Sequence, residues 1–249
     1  MIGIVGGAGP LAGVDIVKKI IEETQARKDQ DHVPVLLLSI PESTPDRTQF
    51  LIGASKENPA FAISSLFQRL EKSGAEVAAI PCNTAHAEAI YGQVQETLKQ
   101  AGSRLKLIHM IQENTAFIKE YYPGKRIGVL STKGTRIVGI YRHAFQENAI
   151  PLAEPNDTWQ ERIHQAIYDT DYGIKAFSSP VTNQAVEEIQ GAMQHLIEDQ
   201  GAEVIVLGCT ELPLAIHGSS YAGVPLIDPN RILARALIRA IAPEKLKSL

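Results

Sequence analysis

The chain carries the same short pattern twice, once in each half. Residues 74–82 read Gly-Ala-Glu-Val-Ala-Ala-Ile-Pro-Cys and residues 201–209 read Gly-Ala-Glu-Val-Ile-Val-Leu-Gly-Cys, so five of nine positions are identical. A weaker match relates residues 2–10 to residues 127–135 at nearly the same offset. Two matches at nearly the same spacing predict two similar halves with a boundary near residues 122–125. Each half begins with a strand and a Gly/Ser/Thr turn, and later presents a strand that ends in cysteine.

Short apolar runs alternate with longer segments of helical periodicity along the whole chain. The pattern predicts strands at residues 2–5, 33–40, 77–80, 105–109, 126–130, 204–207 and 224–227. It predicts helices at residues 11–25, 59–72, 85–100, 111–121, 135–148, 158–168, 182–200 and 229–241. Strands that are apolar throughout are typical of parallel sheets covered on both faces. This alternation predicts an α/β fold with two similar doubly wound, Rossmann-like domains related by pseudo-twofold symmetry. We expect one domain at residues 1–122, to which residues 224–249 return, and the other at residues 123–223.

Composition narrows the classes of function. The 249 residues carry a net charge of −4, which argues against nucleic acid or an anionic membrane as the partner. No apolar run approaches the roughly 18 residues of a membrane span, and the first residues lack the basic segment of a signal peptide. Two cysteines are too few for a disulfide framework. We therefore expect a cytoplasmic protein with reduced thiols that acts on a small molecule.

Cys82 and Cys209 are the candidate reactive groups. Each is expected just past the carboxyl end of a strand and before a helix, the edge of an α/β sheet where ligands collect. A helix N-terminus favours an anion, so we expect a tendency toward thiolate. Two thiols on opposite sides of one carbon could remove a proton from one face and return it to the other, as racemisation without a cofactor requires. The alternative is a pair of small buried hydrophobic residues; a metal site is disfavoured because no CxxC pair is present.

Four segments together resemble the cofactor-independent aspartate/glutamate racemase family, most closely its aspartate racemase branch. They are residues 6–10 (Gly-Gly-Ala-Gly-Pro), 45–48 (Pro-Asp-Arg-Thr), 81–86 (Pro-Cys-Asn-Thr-Ala-His) and 208–213 (Gly-Cys-Thr-Glu-Leu-Pro). The resemblance implies that Cys82 and Cys209 are the two acid/base residues and that no pyridoxal phosphate or other cofactor is used. It also implies a two-domain fold with the active site in the cleft, commonly a homodimer, and L- or D-aspartate as substrate.

A dicarboxylic amino acid needs cationic groups or N–H donors for its carboxylates and an acceptor for its ammonium. Arg47 lies in a polar loop after an apolar strand, and its planar guanidinium suits a carboxylate; a surface arginine paired with Asp46 is the alternative. Lys175 is similar to a second cationic position of the branch, and a solvated lysine is the alternative there. The other candidate substrate-binding residues are donors beside the thiols, an acceptor for the ammonium and a glycine of the first turn: Asn83, Thr84, Thr210, Glu211 and Gly7.

Two further features leave alternatives open. His86 is compatible with a capping or supporting role as well as with proton relay. Many members of the branch have Met in place of Ala8 and Thr in place of Gly13, which leaves the shape of the pocket undecided.

The first turn also matches the dinucleotide fingerprint, as Gly7-x-Gly9-x-x-Ala12, but no acidic residue ends the second strand. The alternatives to an aspartate racemase are therefore of three kinds. The first is a glutamate, hydantoin or broad-specificity racemase, or a maleate isomerase, of the same superfamily. The second is a non-catalytic amino-acid-binding protein, and the third is a nicotinamide-dependent oxidoreductase.

Overall fold

The computed structural model describes all residues from Met1 to Leu249, in two compact units. The first unit comprises Met1–Glu113 together with Asn230–Leu249, and the second comprises Asn114–Pro229. Each unit is built from alternating strands and helices around its own sheet. None of the helices combines the length and apolar character that crossing a membrane requires.

The first unit is organised around a four-stranded parallel sheet of order β2-β1-β3-β4. Its strands are β1 (Ile2–Gly6), β2 (Val35–Ser39), β3 (Val77–Ala79) and β4 (Lys106–Leu107). All residues of β1 and β3 are buried, because helices cover both faces of the centre of the sheet. The helices that belong to or begin in this unit are α1 (Pro10–Glu23), α2 (Arg47–Leu51), α3 (Ala60–Lys72), α4 (Glu88–Gln100) and α5 (Met110–Tyr121).

The second unit repeats this arrangement with one added strand. Its sheet has the order β6-β5-β7-β9-β8, with β5 (Ile127–Leu130), β6 (Leu152–Ala153), β7 (Val204–Leu207), β8 (Ser220–Tyr221) and β9 (Val224–Ile227). All pairs are parallel except β8 with β9. Strands β5 and β7 therefore occupy the places that β1 and β3 occupy in the first sheet. The α/β fold predicted from the repeated sequence is confirmed.

The sequence suggested that the strand near Val224 returns to the first half of the chain, but in the structure it stays in the second half. Leu226 and Ile227 of β9 lie beside Ile205 and Val206 of β7, in the second sheet. Strand β9 stays in this sheet because the apolar strand β7 is buried at all four positions. Its side away from β5 would otherwise have no neighbouring strand. The chain rejoins the first unit only from Asn230, within the last long helix, α11 (Pro229–Ile241).

The helices of the second unit differ from expectation at one place. The predicted helix over residues 135–148 is divided into α6 (Lys133–Ile137) and α7 (Ile140–Glu147). Gly139 separates them with a φ of 65°, a left-handed conformation that glycine adopts without strain. The remaining helices are α8 (Asp157–Tyr168), α9 (Asn183–Glu198) and the four-residue α10 (Leu212–Ala215).

Candidate active site

The two cysteines follow strands that hold equivalent places in the two sheets. Cys82 comes just after β3 and Cys209 just after β7, each at the carboxyl end of a buried strand. Both are free thiols, and each side chain is about as buried as the core around it, at 6% exposure. The polar residues that follow them, Asn83 and Thr210, are buried as well, at 2% exposure each. Each thiol is therefore followed in the sequence by a buried polar residue, while Cys82 and Cys209 themselves pack within the apolar cores of their own units.

Cys82 stands at the start of a 3₁₀ turn, Asn83–His86, that separates β3 from α4. Its carbonyl accepts two hydrogen bonds, from the N–H of Ala85 at 3.2 Å and from Nδ1 of His86 at 2.9 Å. Thr84 is buried in the same turn. The expected helix N-terminus next to this thiol is thus a short turn, and α4 begins only at Glu88.

His86 is held by the backbone on both sides of its ring. Nε2 accepts a hydrogen bond from the N–H of Met110, at the start of α5, at 3.2 Å. Because an amide N–H can only donate, the ring proton lies on Nδ1, which donates to the Cys82 carbonyl. Burial, and the neighbouring His109, lower the pKa of His86 to about 3. A neutral ring with both nitrogens engaged supports the Cys82 turn, and this geometry disfavours a proton relay.

Two aromatic residues that the sequence analysis did not single out pack on His86. Its ring centroid lies 4.6 Å from that of His109 and 4.9 Å from that of Tyr91. Burial lowers the pKa of His109 to about 4. No sequence signal marks this cluster, because its members come from a turn, a helix and a loop that only the fold brings together.

Arg47 is buried at 6% exposure and opens the short helix α2, which contacts the turn after Cys82. Its Nη1 donates to the Pro45 carbonyl at 3.1 Å. Asp46 is the N-cap of α2, and its side chain accepts a hydrogen bond from the N–H of Gln49 at 2.8 Å. The arginine is therefore not a solvated surface residue, and the Asp46 carboxylate has a structural task of its own.

Two glycines in and after the first turn have too little room for a side chain. Gly7 has a φ of +90°, and a Cβ there would lie 2.9 Å from the backbone of Ile40 and Pro41. A Cβ on Gly13 would lie 3.1 Å from the Leu37 side chain of β2 and 3.4 Å from the backbone of β1. Gly13 is thus explained by the packing of α1 on the sheet.

Cys209 is engaged by a carboxylate. Its Sγ donates to Oε2 of Glu211 at 2.9 Å, and the Thr210 hydroxyl donates to the same oxygen at 3.4 Å. Nζ of Lys175 donates to the other oxygen, Oε1, at 2.7 Å. Lys175 and Glu211, which were expected as separate contacts to substrate, form an ion pair with each other here.

The environment of Cys209 opposes ionisation of the thiol. Burial, followed by the charge of Glu211, raises the pKa of Cys209 well above its usual range, although Lys175 acts in the other direction. Burial disfavours the charge on Lys175 itself, but its acidic neighbours, Glu211 first among them, together raise its pKa. The expected tendency of this thiol toward thiolate is wrong. The helix after it, α10, has only four residues and supplies too little dipole to overcome burial.

Tyr141 of α7 is a further neighbour of Cys209 that the sequence did not indicate. Its phenol is buried, and burial raises its pKa. Gly208 makes room for this ring, since a Cβ there would lie 3.2 Å from Cε2 of Tyr141 and 2.8 Å from the Leu130 carbonyl. His, Cys, Asp and Glu side chains form no group of three or more that could hold a metal ion.

Comparison with known proteins gives consistent matches over the whole chain. The Asp/Glu/Hydantoin racemase family matches residues 5–237. The broad specificity amino-acid racemase RacX of Bacillus subtilis (strain 168) is 29% identical over 245 residues, which cover 96% of each chain. The solved structure of the Picrophilus torridus aspartate racemase superposes with a TM-score of 0.82 at 30% identity, covering 99% of this chain and 95% of the other.

A second solved structure, an aspartate racemase homologue from Pyrococcus horikoshii OT3, bears on the fold. It has a TM-score of 0.72 at 24% identity and covers 96% of this chain and 97% of its own. The resemblance read from the four sequence segments is confirmed by these matches. Because the family match spans most of the chain, and the motifs with both cysteines lie within it, the protein belongs to the Asp/Glu/Hydantoin racemase family.

Proposed function

We propose that the protein is an aspartate racemase that uses Cys82 and Cys209 as its two acid/base groups and needs no pyridoxal phosphate. The observation that carries the proposal is the repeated placement of a buried, free thiol at the carboxyl end of β3 and of β7. The thiol of Cys209 also donates to a buried carboxylate, a contact that a purely structural cysteine does not need. The 30% identity to an aspartate racemase supports the choice of reaction.

In the proposed reaction, one cysteine acts as a thiolate and removes the α-proton of the amino acid. The electron pair of the broken C–H bond remains on a planar carbanion, conjugated with the α-carboxylate. The other cysteine, a thiol, then gives its proton to the opposite face. The donors of Asn83, Thr84 and Thr210 stabilise the negative charge that develops on the carboxylate. The proposal requires both thiols to reach one substrate carbon.

Arg47 is the proposed contact for the side-chain carboxylate. Its guanidinium is almost completely removed from water, and its helix contacts the turn that carries Cys82. A buried guanidinium binds a carboxylate more strongly than an exposed one, because water competes less for the hydrogen bonds. This group favours a dicarboxylic amino acid over a hydantoin. Gly7 is proposed to form the floor of the pocket, with its N–H near a carboxylate of the substrate.

A broad-specificity amino-acid racemase is the second candidate. It is favoured by the 29% identity to RacX, which covers 96% of both chains. The small first turn, in which Ala8 is buried, is compatible with side chains other than that of aspartate.

Proton NMR in D2O tests both candidates. Reduced protein without pyridoxal phosphate is incubated with L-aspartate, L-glutamate or L-alanine, and chiral chromatography follows the enantiomers. We expect loss of the α-proton signal and appearance of the D-enantiomer with aspartate first. Comparable rates on alanine would select the broad-specificity enzyme, and no exchange with any substrate would contradict racemase activity.

Single cysteine variants test the two-base mechanism. Neither thiol can serve both faces of the carbon, so Cys82→Ala and Cys209→Ala should each reduce racemisation by at least about 100-fold, the usual contribution of a positioned acid or base. Circular dichroism checks that each variant is folded. Substantial racemisation by either variant would contradict the mechanism.

Two further expectations belong to the proposal. Free thiols fit a reducing cytoplasm, and the family resemblance favours a homodimer. Light scattering coupled to size-exclusion chromatography measures the oligomeric state, with a molar mass of twice 27.1 kDa expected.

A further inference from the structure

We infer that the Lys175–Glu211 ion pair holds Cys209 as a thiol in the free protein, so that Cys209 starts the reaction as the proton donor and Cys82 as the proton acceptor. The inference rests on the proposed two-base function and assigns the starting states that this function leaves open. It gives Glu211 and Lys175 the task of positioning a proton, in place of the direct substrate contacts expected from the sequence.

The first argument is the distance between sulfur and carboxylate. Sγ of Cys209 and Oε2 of Glu211 are 2.9 Å apart, and an ionised carboxylate can only accept a hydrogen bond. A thiolate at that distance would place two negative charges in contact, with the residues only 6% and 4% exposed. Little water is available to screen such a pair, so the proton lies between the two atoms.

The second argument is the position of Lys175. Its ammonium donates to Oε1 of Glu211, the oxygen away from the thiol, at 2.7 Å. The lysine thereby keeps the buried Glu211 ionised, and hence able to accept from the thiol. Two phenols lie near this pair: Tyr141 beside Cys209, and Tyr168, whose ring centroid lies 5.2 Å from Nζ of Lys175. Neutral phenols leave the charge balance of Lys175 and Glu211 intact.

The consequence is that the free protein is prepared for one direction of turnover. The Cys82 thiolate takes the α-proton, and the S–H bond of Cys209 breaks as its proton passes to the carbanion. The product state then has a thiol at Cys82 and a thiolate beside Glu211. Because that thiolate is repelled by the carboxylate, Cys209 regains a proton and Cys82 loses one through solvent before the same enantiomer reacts again.

Thiolate absorbance in the ultraviolet, measured against pH, tests the inference directly. In a Cys82→Ala background, Cys209 is the only thiol. Replacing Glu211 by the isosteric Gln should lower the titration midpoint of Cys209 by about 1–3 pH units, the usual effect of removing one adjacent charge. The matched control is Glu203→Gln, which removes another lysine-paired glutamate of the same unit (Lys125 Nζ to Oε1, 2.8 Å) just before the amino end of β7. The control should leave the midpoint unchanged.

A second titration keeps the test decisive if the Gln variant does not fold. The Cys82→Ala protein with native Glu211 should titrate at higher pH when folded than when unfolded in urea. An equal or lower midpoint in the folded protein would overturn the inference, as would a Glu211→Gln midpoint that does not fall.

Kinetics separate proton positioning from substrate contact. With both cysteines present, Glu211→Gln should lower kcat by at least about 10-fold and leave KM within about 2-fold, since the change affects a proton and not a bound group. A raised KM with unchanged kcat would assign Glu211 to the ammonium and overturn the inference. If the wild-type protein racemises nothing, the proposed function fails, while the thiol titration still decides the state of Cys209.

Discussion

At the scale of single residues, burial decides which chemistry a polar group can perform. Cys82 and Cys209 follow equivalent strands, and no local sequence pattern distinguishes their protonation states. The structure differentiates them by their partners, because the carbonyl of Cys82 is bound by an imidazole and the sulfur of Cys209 by a carboxylate. That contact depends on the direction of the Glu211 side chain and on a lysine 36 positions away in sequence. Neither is encoded in a local pattern, so the sequence could predict both cysteines and not the state of either.

Arg47 carries the clearest prediction at this scale. Arg47→Lys keeps the charge but loses the planar pair of donors, and Arg47→Ala loses both. We expect KM for aspartate to rise by at least about 30-fold in the alanine variant, corresponding to about 2 kcal/mol, with a smaller rise in the lysine variant. Steady-state kinetics of both variants measure the effect. Arg27→Ala, at an exposed arginine of the same unit, is the control, and an unaltered KM in Arg47→Ala would remove this residue from the site.

At the scale of elements, long periodic segments were predictable and short ones were not. The ends of α11 agree with expectation, whereas the five-residue helix α2 was not predicted because it contains too few residues to show a period. That omission matters, since α2 carries Arg47. Gly139 was not recognised as a break, because a single glycine within an apolar periodic segment is also tolerated inside helices. Long helices such as α11 therefore followed from the sequence more reliably than the short elements that present polar groups.

His86 connects two elements, and its substitution tests that connection. His86→Leu removes the hydrogen bond from the Met110 N–H to the ring and one of the two that the Cys82 carbonyl accepts, and a lost bond of a buried group costs about 1–3 kcal/mol. His86→Asn keeps a donor near the position of Nδ1 and should retain more activity. Urea unfolding and kcat are measured for both variants. Equal loss of kcat in the two variants would contradict a role through the Cys82 carbonyl.

The direction of the pH effect follows from the lowered pKa of His86. In the folded protein this imidazole stays neutral down to about pH 3, whereas an exposed histidine binds a proton near pH 6.5. The unfolded chain therefore binds more protons between these values, and the contribution of His86 to stability is lost as the pH falls. Above pH 6.5 that contribution is complete.

At the scale of the whole molecule, ion pairs join the last long helix, α11, to the first helix, α1. Glu23, near the end of α1, accepts hydrogen bonds from Arg231 and from Arg235 of α11, the latter at 2.5 Å. Burial raises the pKa of Glu23, but the two arginines outweigh it and lower the pKa below 4.5. Residues from the two ends of the chain thus share one ion-pair group, which a reading of local sequence could not reveal.

Glu23→Gln should lower the free energy of unfolding by about 1–2 kcal/mol near neutral pH, because Arg235 loses its counter-charge and Arg231 keeps only the more exposed Glu22. The depressed pKa means that this stabilisation is present above about pH 4.5 and is lost as the pH falls through the folded-state value. Urea unfolding of wild type and variant at pH 7 and at acidic pH measures the difference, which should shrink in acid. Glu57→Gln, at an exposed glutamate of the same unit, is the control. A difference that grows in acid would contradict the ion-pair explanation.

The lengths of the edge strands have a consequence for self-association. Three of the four sheet edges are formed by the two-residue strands β4, β6 and β8, which offer few free backbone groups. The fourth edge is β2, with five residues that are mostly only half-buried. Exposed edge strands are templates for cross-β stacking, and short ones are poor templates. If chains of this protein associate through their sheets, we expect the second chain to pair with the β2 edge. A charged residue introduced on β2 should therefore reduce aggregation.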